Sequence, residues 1–183
     1  MSSLLPFLTT RTVAMPVEFL SALHGAVSDA NAAVPPDAVR DAGFHAGAAM
    51  YDAFSTWLGY RGEYGPESLE DGRFAALVSE FFAAAGWGEI AISSLSDAVI
   101  AIDSDRWSEA DAAAGGGGCL VTTGIFSGFF GRLAEAPIAV LEVECRSTGD
   151  GRCRFLLGSG DVLGYVHEAM GRGIPYGLAA TSA

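Results

Sequence analysis

The stretch Glu142-Val-Glu-Cys-Arg-Ser-Thr-Gly-Asp-Gly-Arg-Cys-Arg-Phe155 places two of the chain's three cysteines around a Gly-rich turn, with two carboxylates just before the first thiol. Groups of this kind close a disulfide, pack as free thiols, or hold a metal ion. Cys145 and Cys153 lie symmetrically about Gly149, so in an antiparallel hairpin they can face each other across the ladder. The third thiol, Cys119, stands at the start of a helical segment after a glycine run. A disulfide would use two sulfurs and leave one over; a metal would use all three and require a fourth ligand. Glu142 and Glu144 are the near candidates. On a regular strand they share the face opposite Cys145, so bringing Glu142 to Cys145 needs a bulge near the turn. Three thiolates and a carboxylate would make a closed, tetrahedral, zinc-type set. Arg146, Arg152 and Arg154 are placed in sequence to neutralise its excess negative charge from an outer shell.

The elements that must carry these groups follow from periodicity. Pro16 is suited to open a helix over Val17, Leu20, Leu23 and Val27, and Pro36 or Asp37 starts a longer one through about Leu58. That second helix is apolar around much of its circumference, which requires burial, and Gly43, Gly47 and Ala48 let a neighbour come close. A third helix is expected over Glu67–Ala85, with Phe74, Leu77, Val78, Phe81 and Phe82 inward. Two short strands, near Glu89–Ser93 and Ala98–Asp103, precede a short helix at Asp105-Arg-Trp-Ser-Glu-Ala-Asp-Ala112. A small-residue-rich helix follows Cys119, then a hairpin turning at Ser147–Gly151, a closing helix from Gly160 and a loose tail. Helices, two strands, a helix, a hairpin and a helix argue for one α+β domain over residues 1–183. Its helical part is 16–86, its strand–helix–hairpin–helix part 87–173 and its tail 174–183.

Composition removes several classes of function. The formal net charge is −12, and all ten basic residues are arginine. That balance argues against autonomous nucleic-acid binding, and the lack of lysine removes Schiff-base chemistry and a Walker-type phosphate loop. No apolar run is long enough for a bilayer and the N-terminus is a poor signal peptide, so a cytoplasmic protein is expected, where thiols stay reduced. Gly158–Gly164 superficially resembles a dinucleotide-binding turn, but too few residues follow to complete a βαβ unit, and Asp161 reads as a helix N-terminal residue. Gly115–Gly118 reads as a tight bend beside Cys119. His24, His45 and His167 have no histidine four residues on and no evident acidic orienter in sequence. Glu67, Glu70 and Asp71 read as a solvated first helical turn. The aromatic residues exceed what a small sheet needs. They read as core or as the lining of an apolar ligand cavity, with Tyr51, Phe81, Phe126 and Phe130 as lining candidates.

From Trp107 to Phe155 the chain resembles the 4-vinyl reductase domain family. The matching residues are Ser108-Glu109-Ala110, Cys119, Gly124 with Gly128, Glu142-Val-Glu-Cys145, Gly149-Asp150 and Cys153-Arg-Phe155. In sensor members of that family the equivalent Cys, Glu, Cys and Cys bind a structural zinc, so the resemblance implies Cys119, Glu142, Cys145 and Cys153 as ligands and selects Glu142 over Glu144. It also implies the fold of TRAPP trafficking-complex subunits and related ligand-binding/NO-signalling domains, with helices on one side of a small antiparallel sheet enclosing an apolar pocket. Trp107 lies near the effector-binding segment of the sensors and joins the lining candidates.

The expectation is a zinc-stabilised module for a small apolar or aromatic molecule, acting as sensor or carrier. A homodimer or a signalling partner would complete it, since these 183 residues contain neither the ATPase nor the DNA-binding module of the sensors. The alternatives are an accessory role in vinyl reduction of chlorophyll-type tetrapyrroles and a protein-interaction subunit. No nicotinamide or flavin fingerprint and no evident proton donor favours an enzyme.

Overall fold

Prolines at 16 and 36 open the first two helices, α1 (Val17–Ser28) and α2 (Pro36–Tyr60), where a missing N–H costs nothing. A computed structural model describes residues 15–28, 34–113 and 117–183. The helix expected from Glu67 divides: Pro66–Ser68 form a 3₁₀ turn, and α3 runs Asp71–Ala84, with Leu77, Val78, Phe81 and Phe82 buried. Strands β1 (Ala91–Ser94) and β2 (Ile100–Ser104), helices α4 (Ser108–Ala112) and α5 (Leu120–Ala134), and strands β3 (Ala139–Glu144) and β4 (Cys153–Gly158) follow. The chain closes with α6 (Gly160–Gly171), capped by the Ser159 hydroxyl, and α7 (Tyr176–Thr181). No helix among the described residues is long and apolar enough to cross a membrane.

The four strands form one antiparallel sheet in the order β1-β2-β4-β3. Alternation along the strands gives it two apolar faces. Ile102, Phe155 and Leu157 look toward α2, α3 and α5, into a core of Phe54, Trp57, Phe81, Phe82, Trp107, Phe126 and Phe129. Ala101 and Leu156 look the other way, toward α6 and α7. The α+β architecture and its main helical layer are as expected. The residues expected to trail as a tail, 174–183, instead carry α7, whose Ala179 and Ala180 are buried on the second face. Small side chains there fit a closely docked helix, which a hydropathy reading of a Gly/Ala/Ser-rich terminus does not reveal.

The tightest contact in the fold is α2 against α5, and glycine makes it. A Cβ added at Gly43 or Gly47 would sit 2.3 or 2.1 Å from the carbonyl oxygen of Val121 or Ile125. One added at Gly124 or Gly128 would sit 2.0 Å from that of Arg40 or Phe44. Backbone therefore meets backbone, at a separation where Cα–H···O contacts form. This pins α5, and with it the residue that precedes it, Cys119.

Because these clashes are with backbone, Gly47→Ala has to push α2 off α5. It is expected to cost about 1–3 kcal/mol and to lower Tm by several degrees. Gly164→Ala, on the exposed side of α6 with nothing within 4 Å, is expected to leave Tm unchanged or raise it slightly. Thermal melts of the two variants check the contrast.

Candidate metal centre

The hairpin reaches its knuckle through one irregularity. Glu142 pairs with Phe155 and Glu144 with Arg154, so Val143 is an extra residue on β3. The bulge reverses the alternation beyond it: Glu142 and Cys145 share the inner face, and Glu144 turns outward. This is the distortion the sequence demanded. Cys145 then enters a 3₁₀ turn, Arg146–Thr148. Its carbonyl accepts from the Thr148 N–H (3.1 Å), the Asp150 N–H (3.1 Å) and the Thr148 hydroxyl (2.9 Å). Its own N–H donates to the Asp150 carboxylate at 2.7 Å. Gly149 supplies the left-handed φ of 106° that lets Asp150 return to Cys145.

Cys119 arrives from the other side. Gly117 and Gly118 have φ of 122° and 71°, so the described end of the glycine run bends tightly ahead of the thiol; residues 114–116 of the run lie outside the described chain. The Cys119 N–H donates to Glu142 Oε2 at 2.7 Å, and a Cβ at Gly118 would lie 2.6 Å from that oxygen. The sulfurs of Cys119, Cys145 and Cys153 and one oxygen of Glu142 all lie within 4.8 Å of one another, a set that could hold a metal ion. All three thiols are free and buried, with the Cys119 and Cys145 sulfurs 3.7 Å apart. Glu142 Oε1 is buried with no hydrogen-bond partner among the described residues. An orphaned carboxylate oxygen beside three sulfurs is what a cation site leaves when only the protein is counted.

The charges say the same. Hydrogen bonding to the Cys145 thiol, then to Cys153, and then burial push the Cys119 thiol far up. Hydrogen bonds from Cys119 and Cys145, followed by one from the Arg146 backbone, hold Cys153 below the usual thiol range. Burial pushes the Glu142 carboxyl up to about 8. The pocket thus supports one thiolate unaided, and full ionisation of the set calls for a cation.

The arginines do not neutralise this site. Beyond the bulge, Glu144 lies on the outer face with Arg152 and Arg154. Arg154 grips Asp103 through two bonds of 2.6 Å, and Arg152 bonds Glu144 at 2.8 Å. Tyr176 of α7 donates to Glu144 and accepts from Arg154 at 3.2 Å. Arg146 pairs with Asp111 at 2.8 Å. Strand alternation, invisible to linear proximity, sends Arg152 and Arg154 to the far side of the sheet.

Behind Cys119 lies a carboxylate that the sequence does not single out beyond its place in the Ser-Glu-Ala motif. Glu109, fully buried, accepts from the backbone N–H of Val121 (2.8 Å) and Thr122 (2.7 Å) at the start of α5. It also accepts from the Thr122 hydroxyl (2.5 Å), which in turn accepts from the Trp107 indole N–H (2.5 Å). His24 of α1 lies 2.9 Å from its Oε1, so this histidine does have an acidic partner, 85 residues away. Asp150 was likewise visible only as part of a Gly-Asp pair. Among the lining candidates, Phe81, Trp107, Phe126 and Phe130 are buried in one core, and Tyr51 is half-buried, edge-on to Phe129. Trp107 and Phe126 have ring centres 5.3 Å apart. Two clefts open elsewhere, where α3 meets β1, with volumes of about 540 and 630 Å³.

Helices over an antiparallel sheet, with a thiol-rich knuckle where a hairpin meets a helix, define a class of α+β domain. Residues 107–159 match the family model of the vinyl-4-reductase domain, and this stretch, from Trp107 through the knuckle and β4, is of that family. The phenol-responsive sensory domain of the transcription activator PoxR, solved with phenol, is similar in fold (TM-score 0.61, 17% identity, 81% of this chain and 77% of that one). So is a trafficking protein particle complex subunit 3 from Naegleria fowleri covalently bound to palmitic acid (TM-score 0.54, 14% identity, 78% and 93%). A vinyl-4-reductase family protein from Methanocaldococcus jannaschii gives a TM-score of 0.51 at 16% identity over 86% and 95%. No curated protein sequence matches the chain significantly.

Gly118→Ala combines a disfavoured φ with a Cβ against Glu142, and is expected to weaken binding of a divalent ion at least tenfold. Gly151→Ala, with nothing within 4 Å, is expected to leave it unchanged. Competitive metal titration of the two variants checks this.

Proposed function

We propose that this protein is a zinc-stabilised module that binds a small apolar or aromatic molecule, as a sensor or carrier. The observation that carries the reading is continuity: Cys119, Cys145 and Cys153 belong to the same buried cluster as Trp107, Phe126 and Phe155. A metal at the knuckle would therefore brace the wall of the aromatic core. Zinc bound to sulfur at about 2.3 Å sets tetrahedral S···S edges of about 3.8 Å, and the Cys119–Cys145 separation of 3.7 Å fits that edge. Three sulfurs and one carboxylate close the coordination sphere, which suits a structural ion and leaves no position for a reacting water. When bound, zinc would supply cross-linking between β3, β4 and the start of α5. The chain's own part is to hold Glu142 with the Cys119 N–H and to close the turn through Asp150.

Tyr51, Phe81, Trp107, Phe126 and Phe130 would line the ligand site. Their rings pack on one another, so a ligand would enter by rotating rings apart. The Trp107–Thr122 hydrogen bond is the polar group nearest to that space, in keeping with pockets that are apolar with few polar anchors. Two relatives in fold with apolar or aromatic occupants, phenol in one and palmitic acid in the other, support the ligand class. The output would pass to a partner protein or a second copy.

Native mass spectrometry of freshly purified protein is expected to show one zinc per chain. An ion present at a thousandfold its Kd contributes about 4 kcal/mol, so a chelator should lower Tm by about 10 °C. Substoichiometric zinc with a melt unmoved by chelator would defeat the metal reading. Tryptophan fluorescence tests the ligand separately: a saturable change with added phenol or palmitate supports the site, and no saturable change with either rejects it.

A further inference from the structure

Helix α1 is mostly apolar, yet its apolar residues do not seat it. Val17 and Phe19 are 43% and 49% exposed, and Leu20, Leu23 and Val27 are only half-buried. The one residue of α1 that is buried is His24, at 6% exposure. Its ring meets Glu109, fully buried at the heart of the domain, and the helix packs against α4, which carries that carboxylate. Facing a carboxylate, Nε2 is the proton-bearing nitrogen and donates.

Glu109 is also the junction of two other paths. It caps the first turn of α5, immediately after Cys119, through the N–H groups of Val121 and Thr122. Through the Thr122 hydroxyl it reaches the Trp107 indole, whose ring stacks with Trp87 and packs on Phe82 and Phe126. A continuous chain of hydrogen bonds therefore runs from the aromatic core to a surface helix: Trp107 to Thr122, Thr122 to Glu109, and His24 to Glu109 from the other side. Buried polar groups of this kind are costly to leave unpaired, so a change at one end is felt at the other.

We propose that α1 is a releasable switch helix, latched by His24 onto Glu109, whose seating is set through Thr122 by the surroundings of Trp107. Seating by one polar bond distinguishes it from the helices of the core, which bury several apolar residues each. Such an element opens locally while the rest of the domain stays folded. Its use as a signal of ligand arrival rests on the ligand-binding reading above; the latch itself does not.

Hydrogen exchange on the full chain, read by mass spectrometry with metal content measured in parallel, tests the latch. In His24→Ala the amides of residues 17–28 are expected to exchange at least tenfold faster. Residues 120–134 and 139–158 should stay within about twofold, with metal content unchanged. His24→Gln, which keeps a donor near the Nε2 position, should recover much of the protection. Thr122→Val, which retains His24 and Glu109, should speed exchange of residues 17–28 by threefold or more. Wild-type protection of α1 in His24→Ala, or loosening of the whole domain together with α1, would overturn the latch. Wild-type protection of α1 in Thr122→Val would overturn the link to Trp107. A phenol titration that shifts tryptophan fluorescence without changing α1 exchange would reject the signalling use and leave the ligand reading standing.

Discussion

One inserted residue, Val143, governs the geometry of the hairpin. Without it, strand alternation would direct Glu142 inward and Cys145 outward, and the knuckle would lack a sulfur. With it, both point into the same pocket, and Glu144 is turned out to Arg152 and Tyr176. The hairpin thus has a sulfur-and-carboxylate inner face and an ionic outer face. The inner one meets the start of α5, and the outer one meets α7.

Two glycine-dependent contacts make the inner meeting possible. The pairs Gly43–Gly47 and Gly124–Gly128 bring α2 and α5 into backbone contact, which sets where α5 begins. Gly118 then lets the chain turn without striking the Glu142 carboxylate, so that Cys119 presents both its thiol and its N–H to the site. Glu109 holds the same helix start from behind by capping Val121 and Thr122. The favourable interaction of a carboxylate with a helix N-terminus offsets part of the cost of burying it. Metal knuckle, helix start and aromatic core are therefore one mechanical unit.

Much of this is readable from residue order. The Cys-Glu-Cys-Cys set, the need for a bulge between Glu142 and Cys145, the close approach at Gly43 and Gly47 and the antiparallel hairpin all follow from spacing and strand or helix period. What resists reading depends on which strands and helices become neighbours. Arg152 and Arg154 flank Cys153 in sequence but are carried to the opposite face, where Asp103, from the adjacent β2, claims them. His24 and Glu109 each look ordinary alone, because their partnership joins elements 85 residues apart. The terminal Gly/Ala-rich segment lacks the large apolar residues that mark a packed helix, yet small residues are what docking close to Leu156 and Ala101 requires.

The central claim is that three sulfurs and one carboxylate oxygen hold a single zinc ion and thereby join hairpin to helix. X-ray absorption at the zinc edge on purified protein addresses it most directly. The account expects a four-coordinate ion with three sulfurs at about 2.3 Å and one oxygen at about 2.0 Å. A shell of nitrogen and oxygen alone, or sulfur count falling to two in wild-type protein, would contradict it.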